Sequence, residues 1–225
     1  MILSVHDCLL RGIVRPMKIC VDLILAILPI HFAVMVSPGP NSVLLLTTAL
    51  SSGRSNAMRA ALGIAIGSLV WMVGAMVGVS VILEALPALG LALKIAGGGY
   101  LIYLGVRLWK ADALKPGALG KGNGSSHRNY FRRGLVANLT NPKSAAYFGS
   151  IFAAFLTKEV PVVALAIMIS LLFLMSIAWH GVLATTFSTN AFRAPYLRHC
   201  GLINRITGAI LAALGVRLAA SASLG

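Results

Sequence analysis

The chain reads as an all-α, polytopic membrane protein, with six transmembrane helices arranged as two inverted three-helix repeats. Three observations carry that reading. Of 225 residues, 58% are hydrophobic and only 11% are charged, where a soluble domain carries about 25%. The apolar residues gather into six segments, near 20–50, 61–83, 86–109, 134–157, 160–189 and 202–221, and one bilayer crossing needs roughly 20 predominantly apolar residues. Finally, the pentapeptide Leu-Gly-Val-Arg-Leu at 104–108 recurs at 214–218, and the same offset of 110 pairs Gly98 with Gly208 and Leu101 with Leu211. A repeat of three crossings is odd, so the second copy lies upside down relative to the first.

Residues 1–18 form an N-terminal head. The first 16 look added, because Met17-Lys18 followed by an apolar run makes an ordinary beginning for an inner-membrane protein. The run from Ile19 imitates a signal peptide but is too long for an h-region and lacks a small-x-small cleavage site, so it stays attached. The first repeat covers 19–109. Its opening segment is too long for one straight span, since 31 residues of helix would cover about 46 Å against a hydrocarbon core near 30 Å. The kink falls at Ser37-Pro38-Gly39-Pro40-Asn41, where two prolines remove N–H donors and a glycine weakens the helix. In the second segment Gly63-x3-Gly67 and Gly74-x3-Gly78 read as close helix packing, as do Gly97, Gly98 and Gly99 in the third.

Residues 110–133, rich in Gly, Ser and Lys, read as a flexible basic cytoplasmic loop. The second repeat covers 134–222. It opens with another break, Asn138-Leu139-Thr140-Asn141-Pro142-Lys143, in the segment that corresponds to the first. Segment 160–189 is again long, and Pro161 falls at its start, where proline costs little.

The chain holds 19 basic and 5 acidic residues, a formal net charge of +14. The basic residues sit mostly in connections between apolar segments, where cytoplasmic loops collect them, so nucleic acid is not the expected partner. With six spans, one face collects Arg54, Arg59, Arg107, Lys110, Lys115, Lys121, Arg128, Arg132, Arg133, Arg193, Arg198 and Arg205, twelve against six on the other. The richer face is expected to be cytoplasmic with both termini outside, whereas five spans, the alternative, would put the termini on opposite sides. Cys8, Cys20 and Cys200 form no CxxC and no zinc spacing, so no metal site and no cofactor is expected.

Breaks survive at membrane depth only where protein surrounds them or where they line a wet cavity. They therefore point to a transport site. Around them stand Pro38, Gly39, Pro40, Asn41, Asn138, Asn141, Pro142 and Lys143. Freed N–H groups suit a carboxylate, while freed carbonyls and amide oxygens suit an ammonium, which together suit a zwitterion. An intramembrane Lys costs roughly 2.5–3.5 kcal/mol on insertion scales, so Lys143 should face a cavity or a partner. Proton coupling has four candidates, Asp22 and Glu84 near segment ends and His31 and His180 within segments.

Three stretches, HFAVMVSPGPN, GGGYLIYLGVRLWK and FRRGLVANLTNPKSAAYFGSIF, resemble the LysE/RhtB family of bacterial amino-acid exporters, in particular its threonine-efflux branch, over about residues 19–222. The resemblance implies an inner-membrane carrier, not an enzyme, that expels amino acids by proton antiport. Its partners would be the amino acid, protons and the lipid bilayer, with a homo-oligomer compatible. The family's Pro-Gly-Pro motif maps onto Pro38, Gly39 and Pro40, and its Asn-Pro-Lys motif onto Asn141, Pro142 and Lys143. Relatives often carry Asp where this chain has Asn41, which weakens a cation-binding role there. Few acids stand near the site, which favours a small neutral amino acid such as threonine or homoserine. The alternatives are another amino-acid class such as lysine, or a small-solute or ion channel or carrier of the same superfamily. A thiol–disulfide carrier would need cysteines at the breaks, and a soft-metal exporter would need converging Cys, Met or carboxylates. Neither set is present.

Overall fold

The computed structural model describes residues 21–86, 89–111, 127–156 and 160–223. The expected head, 1–18, and residues 112–126 of the expected loop lie outside the described residues. Seven helices occur among those described. They are α1 (Val21–Val36), α2 (Pro40–Ala85), α3 (Leu89–Trp109), α4 (His127–Leu139), α5 (Pro142–Phe155), α6 (Val162–Thr186) and α7 (Asn190–Ser223). Four are long and apolar enough to cross a membrane: α2, α3, α6 and, over Phe192–Ala220, α7. The chain is thus an all-helical, multi-pass membrane protein. Its outer surface agrees, since Val162 is 80% exposed, Leu25 66% and Phe192 61%, faces that acyl chains solvate as well as another helix would.

Both segments with proline breaks are pairs of short helices, α1 followed by the first part of α2, and α4 followed by α5. Three boundaries differ from expectation. Residues 127–133, assigned to the flexible loop, are the first turns of α4. Tyr130 there is buried and its hydroxyl donates to Ser52 Oγ at 2.9 Å, so the polar end of α4 is docked on α2. The gap expected between the first two segments is helical except at Gly53, whose φ of 80° lets α2 turn there; glycine adopts that left-handed conformation without a Cβ penalty. The last helix starts at Asn190 rather than 202 and runs through Pro195.

Helix contacts follow the small residues, though not all of them. Gly63 faces the backbone of Phe131 and Leu135 in α4, and Gly134 faces the backbone of Ala60. A Cβ at Gly67 would lie 2.8 Å from Asn138 Cβ, whereas Gly74, Gly78 and Gly99 meet nothing within 4 Å, so the expected packing role stops short of them. Between α3 and α7 the glycines cross in pairs. A Cβ on Gly105 would sit 2.5 Å from the Gly208 carbonyl oxygen, and one on Gly215 would sit 2.5 Å from that of Gly98. Each glycine's partner is the offset-110 copy of the other glycine on its helix.

Two apolar cores flank the breaks. Leu23, Ile27, Ile30 and Val34 of α1 join Met72, Leu101, Ile151, Phe152, Leu172 and Leu211 in the larger core. Beyond the first break, Leu45, Leu46 and Ala49 of α2 join Ile64, Leu183 and Phe187 in the smaller one.

Candidate functional site

A proline removes the N–H that would bond the carbonyl four residues earlier. Pro38 therefore strips Val34 of its helical donor, and Pro40 does the same to Val36. Neither these carbonyls nor their neighbours are left bare, because side chains from three later helices reach this stretch of backbone. Lys143 Nζ of α5 donates to Val34 O and Ser37 O, both at 3.1 Å. Trp179 Nε1 of α6 donates to Met35 O at 3.0 Å, and the Tyr196 hydroxyl of α7 donates to Val36 O at 3.3 Å. One turn back, Thr207 Oγ1 of α7 donates to Ala33 O at 3.1 Å. Ser37 itself donates through Oγ to Asn204 Oδ1 of α7 at 2.9 Å.

The second break repeats the device. Pro142 strips Asn138 of its helical donor, and Trp71 Nε1 of α2 supplies one at 3.2 Å, alongside the Asn141 N–H at 3.1 Å. Asn141 then caps α5 by accepting the Lys143 N–H on Oδ1 at 3.0 Å. Its Nδ2 lies 3.4 Å from Asn41 Oδ1, so the two breaks, 100 residues apart in sequence, meet side chain to side chain. The N-cap of α2 is Gly39, with no side-chain cap, which leaves the N–H groups of Asn41 and Ser42 without a helical acceptor. Gly39 is extended, and an added Cβ would make only ordinary contact with the Lys143 side chain, 3.7 Å to Cδ.

Between the breaks lies a cavity of about 50 Å³. Its lining includes Ser37, Gly39, Asn41, Ser42, Ser68, Asn138, Asn141, Lys143, Ser144 and Tyr147, with His31 and His180. One ammonium is present and no carboxylate is among the lining residues. A water needs at least ~10–15 Å³ on this measure, so the space suits the polar head of a small zwitterion or a few waters. Two of the lining residues each carry one fully buried side-chain atom with no hydrogen-bond partner among the described residues, His31 Nε2 and Asn138 Oδ1. An unmet buried acceptor costs about 1–3 kcal/mol. His31 Nδ1 lies 3.3 Å from the Tyr147 hydroxyl, and the His31 ring stacks on that of Tyr147. His180 Nδ1 lies 2.8 Å from Ser176 O, the donor–acceptor pair of a ring protonated at Nδ1.

Of the expected site residues, Gly39, Asn41, Asn138, Asn141 and Lys143 line this cavity, whereas Pro38, Pro40 and Pro142 make the breaks without lining it. His31 and His180 join the cavity. Asp22 and Glu84 do not: both are exposed and outside its lining. Sequence reasoning missed Trp71, Trp179, Tyr196, Asn204 and Thr207. One signal was available for the tryptophans, which stand 108 residues apart, close to the offset of the glycine repeat.

Comparison with known proteins bears on the same elements. Residues 32–222, which hold both breaks and the whole cavity lining except His31, match the family model described as LysE type translocator. The threonine efflux protein of Salmonella typhimurium is 33% identical over 193 residues, covering 84% of this chain and 93% of its own length. That of Escherichia coli K12 is 32% identical over 200 residues, covering 87% and 97%. The uncharacterized membrane protein YahN of the same strain is 28% identical over 183 residues, covering 81% and 82%. No solved structure matches the chain significantly. With the family model spanning both broken segments and the lysine-bearing cavity between them, the chain belongs to the LysE type translocator family.

Proposed function

We propose that this protein exports a small neutral amino acid of the threonine or homoserine kind across the bacterial inner membrane, by alternating access about the two breaks. The observation that carries the reading is the polar cavity where the breaks meet, with one ammonium and no carboxylate in its lining. A substrate carboxylate would bind at the open start of α2, where the Asn41 and Ser42 N–H groups and the helix dipole favour an anion. Lys143 adds charge there, since an ammonium has three donors and two serve Val34 and Ser37. A lysine substrate would bring a second ammonium to a cavity with no acid to receive it, which favours a neutral side chain. The names of the Salmonella and Escherichia relatives point the same way.

Six crossings in two inverted halves is the topology we favour. Each broken segment, α1 with the start of α2 and α4 with α5, is read as one interrupted crossing. The paired glycines of α3 and α7 and the reciprocal tryptophan bonds support the inverted relation. The basic residues argue for a cytoplasmic 110–126 connection and periplasmic termini. For proton antiport, the histidines in the cavity lining are better placed than Asp22 and Glu84, which are exposed.

The test is efflux of labelled threonine from loaded cells and counterflow in vesicles reconstituted with the full chain. Lys143→Ala and Asn41→Ala are each expected to abolish transport while leaving membrane levels unchanged, and a protonophore is expected to stop uphill efflux. Normal transport by both variants would overturn the site. Counterflow of lysine but not of threonine would overturn the substrate class.

A further inference from the structure

Two grooves on the outside of the bundle share a composition that the transport site does not use. The first, of about 630 Å³, lies between α6 and the part of α2 beyond Gly53; Arg54 and Arg59 line it with Met58, Leu62 and Ile177. The second, of about 560 Å³, lies between α4 and the first part of α2; Arg132 and Arg133 line it with Leu44 and Val136. Neither lining includes an acid. Helical spacing puts Arg54, Met58 and Leu62 in one row, and Arg132 and Val136 in another. In each groove a guanidinium pair therefore stands at one end of an apolar floor.

Both arginine pairs are tied to Ser52. Arg59 Nη1 donates to Asn56 Oδ1 at 2.8 Å, and Asn56 Nδ2 donates to Ser52 O at 2.9 Å. The Arg133 guanidinium lies over the Tyr130 ring, 5.7 Å from its centroid, and the Tyr130 hydroxyl donates to Ser52 Oγ. The two pairs thus share one end of the bundle, at the connection between the first two apolar segments. Met58, Leu62, Ile177 and Val136 are exposed, on an outer surface that acyl chains solvate. Gly53 also divides α2, so the positive end of the helix that restarts at Arg54 adds to the field there.

What fills such a groove must bring an anion to the arginines and an apolar tail to the floor. A second copy of the chain is a poor match. The acids among the described residues are Asp22 and Glu84, and Glu84 stands 30 residues along α2 from Arg54, about 45 Å. Leu23, beside Asp22, belongs to the larger core with Val79, whereas Ala61 of the first groove belongs to the smaller one. The bilayer offers both parts at once. Basic pockets between membrane helices suit anionic headgroups, and a guanidinium can donate two parallel bonds to a phosphate. Phosphatidylcholine would bring its own ammonium to the arginines; phosphatidylglycerol would not.

We propose that each groove seats one anionic phospholipid of the phosphatidylglycerol kind, its phosphate on the arginine pair and an acyl chain along the apolar floor. The inference stands apart from the export reading, since the grooves share no lining residue with the cavity.

The test is native mass spectrometry of the full chain in detergent with added lipid. The probes are phosphatidylglycerol, phosphatidylcholine with the same acyl chains, and glycerol phosphate, which has the anion without the chains. Phosphatidylglycerol is expected to be retained in up to two copies per chain, at least about tenfold more than phosphatidylcholine, with glycerol phosphate not retained. Equal retention of the two lipids would overturn the role of the arginines, and glycerol phosphate held as well as phosphatidylglycerol would overturn that of the floors. Neither result depends on a variant folding. Arg54→Gln with Arg59→Gln is then expected to leave one retained lipid, and Arg132→Gln with Arg133→Gln likewise. Arg198→Gln with Arg205→Gln removes the same charge from exposed positions outside both grooves and is expected to keep two. An equal loss in that control would mean that net charge alone draws the lipid, and would overturn the proposal, as would two lipids retained by both groove variants. A dimer whose formation excludes the lipid would put a second copy in the grooves and overturn it too.

Discussion

The carbonyls at the end of α1 show how a broken helix is tolerated in lipid. In water the groups freed by Pro38 and Pro40 would be hydrated at little cost. In hydrocarbon each needs a donor from the protein, and Lys143 and Tyr196 supply them, while Trp179 serves Met35 O between them. The breaks themselves were readable from sequence, because a missing N–H is a property of proline alone. Their partners were not, because a tryptophan 144 residues away reaches Met35 only through the packing of α6 on α1. The two tryptophan bonds should differ in worth. Asn138 O also accepts the Asn141 N–H, whereas Met35 O has only Trp179 among its recorded partners outside the helix. Trp179→Phe should therefore destabilise the protein by about 1–3 kcal/mol, the cost of an unmet buried carbonyl, and Trp71→Phe by about 1 kcal/mol or less. Unfolding by SDS titration from a neutral detergent, monitored by far-UV circular dichroism, would measure both. Equal losses would mean that the tryptophans act through packing alone.

Helix boundaries were read less well than the apolar segments, and for one reason. Hydropathy marks where the bilayer lies, whereas a helix continues into water as long as its hydrogen bonds and contacts hold. His127 to Arg133 carries too many polar residues to look membranous, yet it is helical and docked on α2 through Tyr130 and Ser52. The start of α7 was hidden in the same way by Arg193, Pro195 and Arg198. Small-residue spacing gave a mixed result. It marks where close approach is allowed, not where it occurs, so Gly63 and Gly67 pack on α4 while Gly74 and Gly78 do not. The α3–α7 seam gives a graded test. Gly105→Ala and Gly208→Ala each force a Cβ against a backbone carbonyl and should cost about 1–3 kcal/mol. Gly99→Ala, on the same α3 with open space around it, should stay within about 0.5 kcal/mol of the unmodified protein. The same SDS titration applies, and a loss for Gly99→Ala as large as for Gly105→Ala would mean that helix propensity rather than the seam sets stability.

Taken together, the helices form a bundle in which polar side chains from both breaks meet. Apolar cores lie on either side of the breaks, the lipid-facing surface is apolar, and the half-buried Lys143 and the buried Asn138, Asn141, His31 and His180 converge on one cavity. That convergence could be anticipated only in part. Asn41, Asn141 and Lys143 were pointed out by the prolines beside them, and the glycine repeat suggested that the two broken segments correspond. Asp22 and Glu84 were drawn in by charge alone, and both are exposed and outside the cavity lining. Transport by alternating access requires the two breaks to face each other across one site, each contributed by a different half of the chain. The most direct measurement is cross-linking in a cysteine-free background, with Cys8, Cys20 and Cys200 replaced, carrying Asn41→Cys and Asn141→Cys together. Mild oxidant or a short bis-thiol reagent is expected to join the two positions in the membrane. Two thiols that each react singly yet never cross-link would contradict a shared site at the meeting of the breaks.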